Sequence, residues 1–299
     1  MNHYYSANDY YKQTFGSKVY RLALSSGLTC PNRDGRAGFG GCTFCSESGS
    51  GDFSFSVNEL DKARSLVAGK GATKYISYIQ SYTGTYGEPE VLKEMYETAI
   101  SPDDICALSI ATRPDCVSEP VINLITDIKN KYNKPVYIEL GLQTPDDDLA
   151  DALNRGYRTE VFYDALNRLN AAGLPVIVHM ILGLPGETPD IITGNVKSIS
   201  SLPIHGIKLS LLHIIKGTPM EAVYNSHPER FHLTEKEIYI KTLADCLEVI
   251  PKNIVIYRIT GDAPKSLLVA PTFTADKKSV LNSINKYLDD NNIVQGSKA

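Results

Sequence analysis

The sequence lacks tryptophan, has only four methionines, and contains no apolar run long enough to cross a bilayer. Its longest charge-free apolar stretch, Leu174 to Gly186, is shorter than the ~20 residues of a membrane-spanning helix and includes His179 and two prolines. Residues 1–20 are polar and rich in tyrosine, and they lack the apolar run of a signal peptide. These absences exclude a membrane span and predict a cytoplasmic protein.

The sequence has no excess of positive charge either. It contains 30 Lys and Arg residues and 34 Asp and Glu residues, which gives a formal net charge of -4. Such a chain does not attract phosphate over its whole surface, although a local basic patch is compatible with that average. Five lysines near the C-terminus are the candidates for such a patch, and an ordinary solvated face is the alternative reading. They are Lys265, Lys277, Lys278, Lys286 and Lys298.

Strand-like and helix-like segments alternate along the chain. Runs rich in Val, Ile, Leu or Tyr lie at 18–24, 74–80, 105–110, 136–142, 174–182 and 206–214. Segments with apolar residues spaced three and four apart lie between them, at 57–67, 89–99, 120–132, 160–171 and 189–202. This alternation predicts a parallel α/β fold of six units, either a barrel or a doubly wound sheet. We expect an N-terminal segment 1–17, a barrel 18–233 and a C-terminal extension 234–299.

Cysteines are few, six in all, and three of them lie close together in a glycine-rich loop. Cys30, Cys42 and Cys45 fall within sixteen residues, whereas Cys106, Cys116 and Cys246 are scattered and are predicted to pack in the interior. Three thiolates fit a [4Fe-4S] cluster that leaves one iron open. A structural zinc would need a fourth ligand, and no Cys or His occurs between Cys45 and Cys106. Zinc with a distant ligand and coincidental buried thiols remain open as alternatives.

Several motifs accompany this loop. They are Ser109-Ile-Ala-Thr-Arg-Pro-Asp115, Ile138-Glu-Leu-Gly-Leu-Gln143, Leu153-Asn-Arg-Gly-Tyr157 and His179-Met-Ile-Leu-Gly-Leu-Pro-Gly-Glu-Thr188. Together with the cysteine loop they resemble the radical SAM superfamily, and the long gap between the first two cysteines resembles its elongator-type branch. The segments 258–264 and 295–298 are similar to the compact bacterial MnmL/YtqA (YhcC-like) family.

This resemblance implies a partial (β/α)6 TIM-like radical SAM barrel with a C-terminal extension. It implies a [4Fe-4S] cluster and S-adenosylmethionine (SAM) as cofactors. The implied activity is modification of wobble uridine in tRNA, converting carboxymethylaminomethyluridine to aminomethyluridine through a 5′-deoxyadenosyl radical. The implied partners are the tRNA anticodon loop and an electron donor such as flavodoxin or ferredoxin. A radical SAM enzyme for a peptide or small metabolite, and a non-catalytic metal or iron-sulfur protein, are the alternatives.

The resemblance also suggests which residues bind the cofactors. Cys30, Cys42 and Cys45 would hold the cluster, and Phe44 stands where the superfamily places an aromatic residue. The usual Gly-Gly-Glu that binds the methionine amine is absent, and the segment from Gln80 to Thr83 stands in its place. The turn at Gly183 would lie beside the adenine.

Glu139 and Gln143, at the end of the fourth predicted strand, are candidates for a ribose contact. The alternative for Glu139 is a buried ion pair with Arg113 or Arg155, since a buried carboxylate needs a partner.

Residues that follow strand ends are the candidates for contact with the substrate. His213, Lys216, Arg258 and Asp262 belong to this group, with ordinary core or surface roles as the alternatives. A tRNA base must leave its stack to reach a radical, so an aromatic such as Tyr82, Tyr86 or Phe273 is expected to stack on it.

Overall fold

The computed structural model describes residues 2–49, 51 and 53–299. The strands are β1 Val19–Ser25, β2 Phe55–Ser56, β3 Lys74–Ile79, β4 Ile105–Thr112, β5 Val136–Gln143, β6 Val176–Leu182, β7 Gly206–Leu211, β8 Ile214–Ile215, β9 Val255–Arg258 and β10 Leu268–Ala270. The helices are α1 Ala7–Phe15, α2 Leu60–Ser65, α3 Pro89–Ile100, α4 Glu119–Tyr132, α5 Asp147–Ala152, α6 Thr159–Ala171, α7 Pro189–Ser200, α8 Pro219–Ser226, α9 Lys236–Val249 and α10 Lys277–Asp290.

The helix starts follow from local sequence. Proline occupies the first turn of α3, α4, α7 and α8, where its missing N–H costs nothing and its fixed φ suits the helix. Asp146 caps α5 by accepting hydrogen bonds from the amides of Asp148 and Leu149 at 2.9 and 3.0 Å. Asp276 caps α10 in the same way, accepting from the amide of Ser279 at 3.0 Å. These caps fix where each helix begins.

The chain divides into two compact units. The N-terminal unit comprises Asn8–Leu142 and Asn154–Val178. Within it β2, β1, β3, β4 and β5 lie side by side and pair in parallel. Strands β4 and β5 are almost continuously buried, as expected for a parallel sheet covered by helices, and α3 packs Leu92, Tyr96 and Ile100 into that core.

The C-terminal unit comprises Met1–Ala7, Gln143–Leu153 and His179–Ala299. In it β7 and β9 pair in parallel, and β8 and β10 form a short antiparallel pair. Helix α9 is buried along much of its length and packs on α7.

The predicted α/β fold with alternating parallel strands is confirmed. Beyond the strands of the six predicted units, the two-residue β2 pairs with β1 in the N-terminal unit, and β9 pairs with β7 in the C-terminal unit. The boundaries 1–17, 18–233 and 234–299 stay predictions, since the two compact units mix segments from different parts of the chain. In the described part of the chain, no helix is both long and apolar enough to span a membrane.

Candidate active site

The loop after β1 holds the three clustered cysteines in two tight turns. The carbonyl of Cys30 accepts hydrogen bonds from the amides of Arg33 and Asp34, and the carbonyl of Cys42 accepts one from the amide of Cys45 at 3.0 Å. Burial, together with the charges of Cys45 and Cys30, raises the pKa of the Cys42 thiol to about 12. The three thiols therefore lie close enough for their charges to interact.

The spacing of these thiols bears on which metal centre they suit. Among the described residues, no three Cys, His, Asp or Glu side chains converge tightly enough to hold one metal ion. In a zinc site the thiolates lie roughly 3.8 Å apart, because each Zn–S bond is about 2.3 Å and the geometry is tetrahedral. Each cysteine of a four-iron cluster binds a different iron, so its thiols are more widely spaced. Three neighbouring thiols match the number of protein ligands of a four-iron cluster that leaves one iron open.

Two asparagines fix the path of the cysteine loop. The Nδ2 of Asn154 donates to the carbonyls of Phe39 and Gly41 at 3.0 and 2.8 Å. The Nδ2 of Asn32 donates to the carbonyl of Asn154 at 2.5 Å and lies 3.8 Å from the Sγ of Cys42. The loop is thus attached, through side chains rather than backbone pairing, to the segment that precedes α6.

Two arginines support this segment, Arg155 within it and Arg113 directly after β4. Arg113 makes a two-pronged ion pair with Asp115 at 2.9 and 2.7 Å and donates to the carbonyl of Arg155 at 2.9 Å. Arg155 is buried and donates to the carbonyls of Leu142 and Tyr157 at 2.7 and 3.0 Å. Both guanidinium groups lie over the Tyr157 ring, 4.8 and 4.5 Å from its centroid. The motifs at 109–115 and 153–157 therefore form one support beneath the cysteine loop.

Replacing Asn154 with alanine is expected to weaken cluster retention without unfolding the protein. The change removes two hydrogen bonds that hold the loop, each worth about 1 kcal/mol. We expect iron to be lost to a chelator several times faster from Asn154→Ala than from wild type, measured by absorbance under anaerobic conditions. Asn133→Ala is the matched control, since Asn133 also has a left-handed φ, 49° against 53°, at the exposed end of α4. Equal rates of iron loss in the two variants would contradict this role.

The segment from Gln80 to Thr83 packs against the cysteine loop. Tyr82 has a φ of 54°, an uncommon conformation for an aromatic residue, and its hydroxyl donates to the carbonyl of Glu47 at 2.6 Å. The Arg33 guanidinium lies 5.3 Å from the centre of the Tyr82 ring. Tyr82 therefore holds the loop in place, a role that its prediction as a residue stacking on the tRNA base did not include.

Two hydroxyls in this region are buried without a partner. The Oγ1 atoms of Thr43 and Thr83 make no hydrogen bond with any described residue. An unsatisfied buried hydroxyl costs about 1–3 kcal/mol, so each is a polar group available to a bound molecule. Thr83 belongs to the segment predicted to bind the methionine part of SAM, and Thr43 adjoins the half-buried Phe44 in the loop.

Glu139 pairs with Arg21, an arginine that the predicted buried ion pair did not name. Its carboxylate is fully buried and accepts hydrogen bonds from Arg21 and from the hydroxyl of Ser109, the latter at 2.6 Å. The Arg21 guanidinium also lies over the Tyr78 ring, 3.8 Å from its centroid. The assignment of Glu139 as a ribose ligand stays a prediction, and full burial with two strong partners favours a structural role. Arg21 was missed, although an isolated charge in the apolar strand β1 was a usable signal.

The turn after β6 is held by a buried carboxylate. Gly183 has a φ of 84°, a conformation that a side chain would strain. Glu187 is buried, and its Oε2 accepts a hydrogen bond from the amide of Leu184 at 3.1 Å while its Oε1 accepts from Asn195 at 3.3 Å. Burial raises the pKa of Glu187 to about 7. Sequence analysis gave Glu187 no role, although a carboxylate next to a helix cap indicates one.

Gln143, the last residue of β5, is half-buried.

Three of the predicted catalytic residues meet at strand ends of the C-terminal unit. The charges of Asp262, Arg258 and Lys277 all act on His213, whose pKa burial lowers to about 4. Lys216 is exposed on the turn after β8. We name His213, Arg258, Asp262 and Lys277 the strand-end cluster.

The predicted lysine patch is largely neutralised. Lys277 pairs with Asp262, Lys286 with Asp290 and Lys298 with Glu248. Phe273 stacks on Tyr239 at a centroid distance of 5.9 Å, so its ring already has an aromatic neighbour. Of the five lysines, Lys265 and Lys278 are left without an ion pair among the described residues. This favours the alternative that the lysines form an ordinary solvated surface.

Comparison with known proteins gives two family matches. The Radical SAM superfamily profile matches residues 29–195, and the Radical_SAM C-terminal domain profile matches residues 204–290. Protein YtqA of Bacillus subtilis (strain 168) is 36% identical over 299 residues, which cover 98% of this chain and 92% of that protein. The tRNA uridine(34) acetyltransferase of Dehalococcoides mccartyi is 27% identical over 187 residues, which cover 62% of this chain and 39% of that protein.

Among solved structures, the archaeal Elp3 of Methanocaldococcus infernus has the same fold. It matches with a TM-score of 0.68 at 19% identity, over 93% of this chain and 64% of that one. The superfamily profile spans both the cysteine loop and the motifs that support it. The chain therefore belongs to the radical SAM superfamily, and its cofactors are a [4Fe-4S] cluster and S-adenosylmethionine.

Proposed function

We propose that this radical SAM enzyme modifies the wobble uridine of tRNA, converting carboxymethylaminomethyluridine to aminomethyluridine. The observation that carries the proposal is the 187-residue similarity to a tRNA uridine(34) acetyltransferase. The fold likeness to archaeal Elp3 is compatible with it. Cys30, Cys42 and Cys45 would hold the [4Fe-4S] cluster, which together with SAM would supply the radical chemistry for hydrogen abstraction from the substrate.

In this proposal different residues bind the cluster, support the cysteine loop and bind SAM. Cys30, Cys42 and Cys45 hold the cluster, and the Asn32 and Asn154 side chains hold the loop that presents those cysteines. The unpartnered Thr83 hydroxyl binds the methionine part of SAM. The buried Glu187 carboxylate keeps the turn from Gly183 to Glu187 in shape, the turn that the family resemblance assigns to the adenine of SAM.

The tRNA and the reductant are proposed partners. A target base in the anticodon loop must leave its stack to reach the radical, which is easier in a single-stranded loop than in a duplex. Because few of the C-terminal lysines are unpaired, we expect moderate affinity that falls with added salt. A one-electron donor such as flavodoxin or ferredoxin, present in the cytoplasm, would reduce the cluster.

Deleting the gene is expected to change the wobble nucleoside of the affected tRNAs. Carboxymethylaminomethyluridine should accumulate and aminomethyluridine should fall below detection, because the enzyme converts the first nucleoside to the second. Mass spectrometry of hydrolysed tRNA measures both. Complementation with the wild-type gene should restore the product, whereas Cys42→Ala should not.

The opposite result is equally informative. Unchanged wobble nucleosides in the deletion strain, combined with SAM cleavage by the purified protein, would contradict the tRNA proposal. That outcome would favour a peptide or small metabolite as substrate. Loss of SAM cleavage in protein with full iron content would favour a non-catalytic iron-sulfur protein.

A further inference from the structure

The strand-end cluster is built where two parallel strands finish. Strands β7 and β9 pair with Lys208 opposite Arg258, which is the last residue of β9. His213 follows the end of β7 by two residues. Side chains at the carboxyl ends of parallel strands are where α/β folds of this class place groups that meet substrate. The cluster therefore occupies a position suited to binding rather than to core packing.

The backbone at 258–262 is shaped to admit the His213 ring. A Cβ added at Gly261 would lie 2.3 Å from Cε1 and 2.5 Å from Nδ1 of His213, far inside contact distance. Only glycine allows the imidazole to rest directly on this turn. The imidazole makes no hydrogen bond with any described residue, so its ring nitrogens are available to a ligand.

The charges of the cluster do not cancel completely. Lys277 Nζ binds both oxygens of Asp262 at 2.6 and 2.7 Å, so these two residues neutralise each other. His213 is neutral at pH 7 because burial lowers its pKa to about 4. Arg258 is half-buried, and its guanidinium makes no hydrogen bond or ion pair with any described residue. One net positive charge remains, on a group whose forked donors match a carboxylate.

We propose that Arg258 and His213 form a binding site for the carboxylate of the substrate's carboxymethyl arm. Arg258 binds the two oxygens side by side, and a ring N–H of His213 donates to one of them. The Lys277–Asp262 pair holds the cluster at a single positive charge, which suits one carboxylate. This inference rests on the proposed function. It assigns to Arg258 and His213 the recognition of the carboxylate, the group that the substrate has and the product lacks.

The test compares two tRNAs that differ only in that carboxylate. For Arg258→Gln, the KM for tRNA bearing carboxymethylaminomethyluridine should rise about 10- to 100-fold, since a charge-assisted pair is lost. The inhibition constant of tRNA bearing aminomethyluridine, which lacks the carboxylate, should stay within twofold of wild type. Arg258→Lys should recover part of the loss, because it keeps the charge without the fork. Lys252→Gln, which removes an exposed cation of the same unit, is the matched control.

The possible failures are distinguishable. Absence of turnover by wild-type enzyme on the first tRNA would overturn the proposed function, and this inference with it. Turnover by wild type with an unchanged KM in Arg258→Gln would overturn the inference alone. An equal rise for both tRNAs would assign Arg258 to general tRNA binding and also overturn it. A raised KM for SAM in substrate-free cleavage would show that the carboxylate bound is that of the cofactor.

Discussion

Alanine in place of Cys30, Cys42 or Cys45 is expected to abolish cluster binding and SAM cleavage together. Three thiolates are the minimum that holds a [4Fe-4S] cluster with one open iron, so losing one leaves too few ligands. After anaerobic reconstitution, each variant should retain less than a tenth of the wild-type iron and form no 5′-deoxyadenosine. Iron analysis and chromatography of the SAM products measure the two effects.

Cys116→Ala is the sharpest control for this prediction. The thiol of Cys116 lies near enough to Cys30 for their charges to interact, and burial raises its pKa. Cys116 is therefore the other thiol best placed to act as a fourth ligand. Full iron content and SAM cleavage in Cys116→Ala would support the open iron, and loss of either would contradict it. Cys246→Ala, deep in the C-terminal unit, should behave as wild type.

The larger elements of the fold were predictable because their signals are local. Long apolar runs become buried parallel strands, and apolar residues three and four apart become helices, so β3 to β7 lie close to their expected positions. Strand β2 was missed because two residues carry no periodicity. The C-terminal strands β8 and β10 are equally short, and they pair across more than fifty residues of chain.

In the candidate site too, residues with a local sequence signal were predicted and residues brought together only by the fold were not. The three cysteines were identified because their spacing lies within one loop, and spacing along the chain is visible in a sequence. The groups that support them were not identified, because Asn32 and Asn154 meet across 122 positions. Arg21 and Glu139 are 118 positions apart, and nothing local indicates which of several arginines reaches a given carboxylate. Pairing of this kind is set by strand order, which a single sequence does not state.

Breaking the Arg21–Glu139 pair is expected to cost more stability than any other single change in the N-terminal unit's polar interior. Glu139 is fully buried and Arg21 is only 20% exposed, so removing one partner leaves the other charged and poorly solvated. Burial alone would lower the pKa of Arg21, but the Glu139 carboxylate raises it, so the arginine stays charged. Arg21→Met should lower the free energy of unfolding by about 3–5 kcal/mol.

A double-mutant cycle separates the pair from its surroundings. Arg21→Met with Glu139→Leu replaces both charges by apolar groups of similar size, and such exchanges are often neutral. We therefore expect the double variant to be more stable than Arg21→Met alone, measured as the urea midpoint of the reconstituted protein. Additive losses in the two single variants would contradict a coupled pair.

A further variant decides between the two roles considered for Glu139. Glu139→Gln keeps the shape of the side chain and its hydrogen bond to Ser109 while removing the charge. If Glu139 only balances Arg21, this variant loses stability but binds SAM as wild type does at a temperature where both are folded. If Glu139 binds the ribose, SAM affinity falls even where stability is restored by a second change at Arg21. Because Arg21 already occupies the buried carboxylate, we expect the first result.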